Sequence, residues 1–342
     1  MATLTFMNHT IFDHGASSKL GQVLALHGIR KPLLCTDRGL VDLGMVDALS
    51  ANLSNDAALT IFDGTPENPT EVAVEDAVAQ YLEAGCDGVV ALGGGSSMDL
   101  AKAVALAVTH EGDLIDYTAG LGGAGKIGQV APLIAIPTTS GTGSEVSSGA
   151  VIIMKNGEKL ILASRELVPR TAICDPSLTL GLPPRLTAAT GMDAMTHCIE
   201  ALLSPQINPP AEAVACDGIE RGIQEGHLLK AVKDGKDEDA RWNMMMAATE
   251  GAMAFSKGLG AVHSMSHACG ADQSLRLHHG TLNAVILPTV IDFNRDHVGD
   301  KYLRLNAAMG IESSSDPAGS VSYTHLRAHE TSLHLVCRLL LE

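Results

Sequence analysis

Between residues 31 and 136 short aliphatic runs alternate with a stretch of helical periodicity, and this alternation limits the chain to very few folds. Lys31–Thr36, Gly88–Leu92 and Pro132–Ile136 are strand-length runs bounded by turn residues. Between the first two, 71–84 repeats apolar residues at helical spacing (Val72, Val74, Ala77, Val78, Tyr81, Leu82). Strands that are apolar throughout must be buried on both faces. The pattern therefore predicts a parallel sheet with helices on either side, a Rossmann-like α/β arrangement. Farther on, Ala150–Met154 and Lys159–Leu162 flank Asn156-Gly157, a strong hairpin-turn signal.

After about Asp175 the strand signal fades. Pro183-Pro184 punctuates, Thr187 is a candidate helix cap, and the chain becomes rich in Ala, Met and Leu. An α/β domain over 1–180 and an all-α domain over 181–319 are expected, with the boundary at residues 178–182. From Ser320 the composition shifts again toward His and Arg, with no capping logic to join it to the preceding helices. Residues 320–342 are therefore set apart as a tail.

Two polar loops follow predicted strands. Gly93-Gly94-Gly95-Ser96-Ser97 leads into a helical start at Asp99–Val104. Glycines let a backbone approach a pyrophosphate, and a helix N-terminus supplies N–H donors and a favourable dipole. A tight strand–helix turn also wants glycine, but three in a row followed by serine favour the phosphate. The loop is not the usual dinucleotide fingerprint, because Met98 stands at its third glycine position. Asp37, at the end of the Leu33–Thr36 strand, is the candidate acceptor for an adenosine ribose; its charge would repel a 2′-phosphate and favour NAD over NADP. The second loop, Pro137–Glu145, carries more hydroxyls than a turn requires, at the strand end where ligands bind in such sheets.

The helical half holds a different chemistry. Asp193 and His197 stand four apart, on one face of a helix; His263 and His267 repeat the spacing, and His279 follows. One such pair usually decorates a solvated face. The joint occurrence, on segments full of small apolar residues, points to a metal, and imidazoles with one carboxylate suit Fe(II) or Zn(II).

Bulk composition excludes several classes. Hydrophobic residues make up 46% of the 342, charged residues 18%, and the net charge is −16. With no basic stripe to neutralise phosphates, neither nucleic acid nor an anionic membrane surface is an expected partner. No apolar run is long enough to span a bilayer, and no signal peptide is visible. Seven scattered cysteines without a Cys-x-x-Cys pair suit a reduced, cytoplasmic protein.

Taken together, GGGSSMDLAK, PTTSGTGSE, GMDAMTHCIEA and AVHSMSHACG…HHGTLNAVILP resemble the iron-containing (group III) alcohol dehydrogenases, over about residues 5–315. The resemblance implies an N-terminal α/β domain for NAD(P), a C-terminal helical domain holding one metal, and an active site in the cleft between them. It places Gly94, Gly95, Ser96 and Asp99 at the pyrophosphate, and Thr138, Thr139, Thr142 and Ser144 on the nicotinamide side. Asp37 and Asn68 fall on the adenosine side, and Lys159 near the cofactor ribose. Asp193, His197, His263 and His279 match the metal ligands; His267 matches a histidine near the substrate that relays a proton. Hydride transfer between a small primary alcohol or diol, or its aldehyde, and NAD(H) is the implied reaction, by a homodimer or larger homo-oligomer.

Two departures stand out. The stretch from His267 to the His-Gly pair is two residues longer than the usual pattern and ends in His278-His279. The trailing Gly280-Thr281-Leu282-Asn283 favours His279 as ligand over His278, and the 272–277 loop would border the substrate pocket. The tail stands where relatives carry further helices, which suggests a truncated or chimeric frame. Glycerol dehydrogenase, dehydroquinate synthase-like chemistry and an inactive NAD-binding fragment remain the alternatives.

Overall fold

The computed structural model describes residues 8–51, 53, 59–270, 277–312 and 317–319. The tail from 320 and most of the 272–277 loop lie outside these residues. The chain divides into two compact units, one of Met7–Thr138 with Ser144–Asp175, the other taking in Thr139–Gly143 and the chain from Pro176 on.

The first unit is a six-stranded, all-parallel sheet ordered β1-β8-β5-β4-β2-β3. Its strands are β1 (His9–Phe12), β2 (Pro32–Cys35), β3 (Thr60–Phe62), β4 (Gly88–Gly93), β5 (Leu133–Pro137) and β8 (Thr171–Cys174). β2, β4, β5 and β8 are buried along their whole length, which is why the first three are continuous aliphatic runs. The hairpin β6 (Gly149–Ile153) and β7 (Lys159–Ala163) forms a separate antiparallel ribbon, turned at Gly157 with φ +86°. Helices α1 (Leu20–Leu26), α2 (Arg38–Asp42), α3 (Met45–Ser50), α4 (Glu71–Ala84) and α5 (Gly95–Ala107) complete the unit.

α4 has the bounds expected from the sequence. Thr70 caps it by accepting from Ala73 N–H, and Gly85 ends it in the left-handed region. Its inner face is narrower than the periodicity suggests: Ala73, Val74, Ala77 and Tyr81 are buried, whereas Val72 and Leu82 are exposed. α5 is buried over most of its length between β4 and the β6–β7 ribbon, and its core is alanine, leucine and valine.

Among the described residues, the second unit is helical throughout: α6 (Pro184–Leu203), α7 (Pro209–Ile219), α8 (His227–Lys233), α9 (Glu238–Ala254), α10 (Ala261–Gly270), α11 (His279–Phe293) and α12 (Lys301–Ala308). α6 is the central helix, buried continuously from Thr187 to Leu203, with α7, α9 and α11 packed around it. Small residues make this possible. A Cβ on Gly191 would meet Leu228 Cδ1 at 2.2 Å, and one on Gly251 the Ala194 carbonyl at 3.1 Å. Thr187 is not the cap: α6 begins at Pro184, whose missing N–H costs nothing in the first turn. The Thr187 hydroxyl instead accepts from the buried Arg241 guanidinium at 2.9 Å.

Candidate metal centre and dinucleotide loops

Three helices bring the predicted ligands together. On α6, Asp193 and His197 project from one face a turn apart; α10 supplies His263 and α11 begins with His279. The Nε2 atoms of His197, His263 and His279 lie 3.9, 3.6 and 3.4 Å from Asp193 Oδ1. Asp193, His197 and His263 are buried and can place one donor atom each within 4.8 Å of one another. His279 closes the set from a more exposed position, its Nδ1 3.3 Å from Ser266 Oγ. His278 is exposed and stands at the N-cap of α11.

The donor set fits a divalent cation. Metal–ligand bonds of about 2.0–2.2 Å in a tetrahedral array put donor atoms about 3.4 Å apart. One carboxylate and three imidazoles, with the nitrogens 3.4–3.9 Å from Asp193 Oδ1 and the buried three donors within 4.8 Å of one another, would have to draw together to reach that spacing. The hub is also electronegative: the Asn283 side-chain N–H2 settles 2.8 Å from Asp193 Oδ1, 3.3 Å from His263 Nε2 and 3.2 Å from His279 Nε2. A partially positive amide N–H2 packed against three of the four candidate ligand atoms marks the place where a cation would be held.

The electrostatics are strongly coupled. Burial pushes the Asp193 carboxyl up, but His197, His279 and His263 outweigh it and hold the group well below the usual carboxylate range. Burial lowers His197 to about 4 despite Asp193, so this imidazole is neutral and available to a metal. His263 runs the other way: burial lowers it, but Asp193 and Glu200 raise it to about 9. Its ring stacks on His197 with centroids 4.5 Å apart. The His267 ring is 4.8 Å from that of His279 and 6.2 Å from that of His263, beside the ligand cluster.

In the α/β unit, β4 runs into the glycine loop at the middle of the sheet. Gly93 has φ +149°, and a Cβ there would meet Ser97 Oγ at 2.4 Å, so glycine is required. Gly94 stands at the N-cap of α5 without a side-chain cap, which leaves the first N–H groups of α5 and their dipole facing the loop. Thr138 donates its N–H to the Gly93 carbonyl at 2.9 Å, tying the second polar loop to the first.

Other predicted residues are already engaged. Asp37 follows β2 and caps α2, accepting from Leu40 N–H at 3.1 Å. Lys159 Nζ donates to Asn68 Oδ1 at 3.0 Å, so these two are brought together. The Ser96 hydroxyl donates to the Glu67 carbonyl. Asp99 accepts from Ser144 Oγ at 2.7 Å and Val151 N–H at 2.9 Å; it serves as an internal anchor between α5, the second loop and the β6–β7 ribbon.

Lys102, which sequence reasoning passed over, completes that anchor. Fully buried, it donates to Ser144 Oγ, the Ser147 hydroxyl and carbonyl, and the Gly149 carbonyl. Burial lowers its pKa to about 8 against the pull of Asp99.

The second loop owes its glycines partly to packing. Thr139 and Thr142 fall on the five residues that group with the helices. A Cβ on Gly141 would meet Thr190 Cβ at 2.8 Å, and one on Gly143, at φ +60°, Ala252 Cβ at 2.1 Å. Gly280 is likewise dictated by contact, since a Cβ there would meet the Ala189 carbonyl oxygen at 2.0 Å. Glu200, which reaches His263 from its outer nitrogen, and Asn283, whose amide lies at the hub, were also missed. Both stand at helical spacing from a ligand, Glu200 three after His197 and Asn283 four after His279.

Comparison with known proteins agrees with this geometry. Residues 8–176 match the iron-containing alcohol dehydrogenase family, and residues 187–334 the C-terminal domain of the Fe-containing alcohol dehydrogenase family; the second match runs into the segment after 319. The 4-hydroxybutyrate dehydrogenase of Cupriavidus necator is 52% identical over 333 residues, covering 94% of this chain and 85% of that protein. The crystal structure of 1,3-propanediol oxidoreductase superposes with a TM-score of 0.86 at 33% identity, over 99% of this chain and 87% of that one. Sulfoacetaldehyde reductase from Bifidobacterium kashiwanohense, in complex with NAD+, superposes with a TM-score of 0.87 at 26% identity, over 99% and 86%. The chain belongs to the iron-containing alcohol dehydrogenase family.

Proposed function

We propose that the protein is an NAD(H)- and metal-dependent dehydrogenase that interconverts a short primary alcohol carrying a second oxygen function, a diol or ω-hydroxy acid, with its aldehyde. Supporting it is the convergence of Asp193, His197, His263 and His279 on one carboxylate oxygen. The substrate class is supported by 52% identity to a 4-hydroxybutyrate dehydrogenase.

Each residue has a role its environment supports. Asp193, kept ionised, is the anionic donor, and the three Nε2 atoms that face it are the nitrogen donors. A divalent ion bound to them would polarise the carbinol oxygen, and NAD would take the hydride. His267, beside His279, accepts the proton that the alcohol loses and returns it in aldehyde reduction. The α5 N-terminus with Gly94 and Gly95 takes the pyrophosphate. Asp37 selects an unphosphorylated ribose. The Lys159–Asn68 pair flanks the cofactor. Asp99, Thr138 and Ser144 shape the loop that receives it.

The enzyme assembles as a homodimer or larger homo-oligomer, which would cover apolar side chains such as Phe293 and Ile207, 77% and 73% exposed. It acts in the cytoplasm, consistent with free thiols at every cysteine among the described residues. Among those residues no helix is long and apolar enough to cross a membrane.

The test is anaerobic reconstitution with Fe(II) or Zn(II), desalting, and NADH formation from 4-hydroxybutyrate, 1,3-propanediol and ethanol. Turnover is expected with the first two at higher kcat/KM than with ethanol. About one bound metal per chain with no turnover on any of them would overturn the reading.

A further inference from the structure

One buried carboxylate near the donor set lies outside the proposed ligands. Glu200 lies on α6 one turn beyond His197, and its side chain is 4% exposed. Such a charge is held only where donors satisfy it. Here every donor comes from α10 or the residue before it. Glu200 Oε2 is 2.7 Å from His263 Nδ1, and the same oxygen accepts from His263 N–H at 3.3 Å. Oε1 accepts from Val262 N–H at 2.7 Å. Gly260 makes the approach possible, because a Cβ there would lie 2.7 Å from Glu200 Oε1.

We propose that Glu200 is the positioning residue of the metal centre, fixing the His263 tautomer and docking the start of α10 onto α6. This rests on the ligand set proposed above. An ionised carboxylate can only accept, so His263 Nδ1 must carry the proton. With Nδ1 held in this way, Nε2, the nitrogen that faces Asp193 at 3.6 Å, is the ring nitrogen left to give its lone pair to a metal. A carboxylate on the outer nitrogen also makes an imidazole a stronger donor to a metal. The backbone contacts act on the same helix. Orphan N–H groups at the first turn of α10 find their acceptor on α6, so the helix that carries His263 and His267 is registered against the one that carries Asp193 and His197. One side chain thereby sets both the orientation of a ligand and the spacing of its helix.

The variants Glu200→Gln and Glu200→Asp of the full chain test this. Zinc affinity of the metal-free protein is measured by competition with a chromogenic chelator, and the His263 tautomer in the zinc-loaded protein by long-range 1H–15N correlation. Glutamine keeps the size and removes the charge, and its N–H2 competes for His263 Nδ1 as acceptor. Zinc affinity is expected to fall about 10–100-fold with the far-ultraviolet circular dichroism unchanged, and aspartate is expected to restore part of the loss. Affinity within twofold of the parent would overturn the inference. If glutamine prevents folding, the parent decides alone: a proton on Nδ1 of His263 supports the role, and a proton on Nε2 overturns it. A parallel His197→Ala variant separates the two levels. Unchanged zinc affinity there would defeat the ligand assignment itself, whereas a loss there with none in Glu200→Gln would defeat only the positioning role.

Discussion

Asn283 on α11 donates its side-chain amide to Asp193 Oδ1 on α6 across 2.8 Å, in a fully buried position. The bond holds the carboxylate beside the His263 and His279 imidazoles and sets α11 against α6. Replacing Asn283 by Asp would set two carboxylates against each other. The metal-free protein should lose about 1–3 kcal/mol of stability, and the rise in Tm on adding Zn(II) should become larger than in the parent, because the cation relieves the repulsion. Thermal melts with and without Zn(II) check both. A smaller metal-induced rise would show that Asn283 does not face the ion.

Gly280 meets the Ala189 carbonyl oxygen so closely that a Cβ would stand 2.0 Å from it. Backbone cannot yield as a flexible side chain does, so Gly280→Ala should push α11 away from α6 and carry His279 and Asn283 with it. A loss of about 3 kcal/mol in urea unfolding is expected, together with substoichiometric metal after reconstitution. Full metal content at unchanged stability would mean the two helices adjust without moving the donors.

What the sequence showed and what it hid divide along the range of the interactions. β2, β4 and β5 were legible because burial on both faces demands continuous aliphatic residues. β1 and β3 are short and only partly buried, so they lack a continuous aliphatic run, and Thr171–Cys174, though buried, mixes Thr, Ala, Ile and Cys and is a strand because β1 and β5 pair with it. The four side chains that converge, Asp193, His197, His263 and His279, were legible from helical spacing and the motifs around them. Glu200 shares that spacing, but its role depends on Val262 and His263 of another helix. Asp99 likewise becomes an internal anchor only once Val151 of the hairpin lies over α5. The glycines at 141 and 143 answer to Thr190 and Ala252, which no local reading could supply.

Asp37 offers a test that separates charge from structure. Its carboxylate caps α2 through Leu40 N–H, a task that serine performs nearly as well. Asp37→Ser should therefore leave folding intact while removing the repulsion of a 2′-phosphate. The ratio of kcat/KM for NADP to that for NAD should rise about tenfold, equivalent to roughly 1.4 kcal/mol. An unchanged ratio would place the ribose discriminator elsewhere.

Glu250 on α9 should give the protein a stability that declines as pH rises. Burial and the neighbouring Asp217 push its carboxyl up to about 9, and Arg221, 3.5 Å away, offsets only part of this. In the unfolded chain the same group ionises near its ordinary value of 4.5. Below that value both states are protonated and nothing is lost. Between it and about 9 the native state binds the extra proton, so ionisation favours unfolding and stability falls with pH across that window. Glu250→Gln keeps the shape and stays neutral. It should be more stable than the parent by about 1–2 kcal/mol near pH 8, the gap closing toward about pH 5. Urea midpoints at several pH values decide it: a gap that stays constant with pH would show that native Glu250 is already ionised, held by Arg221 rather than by its proton.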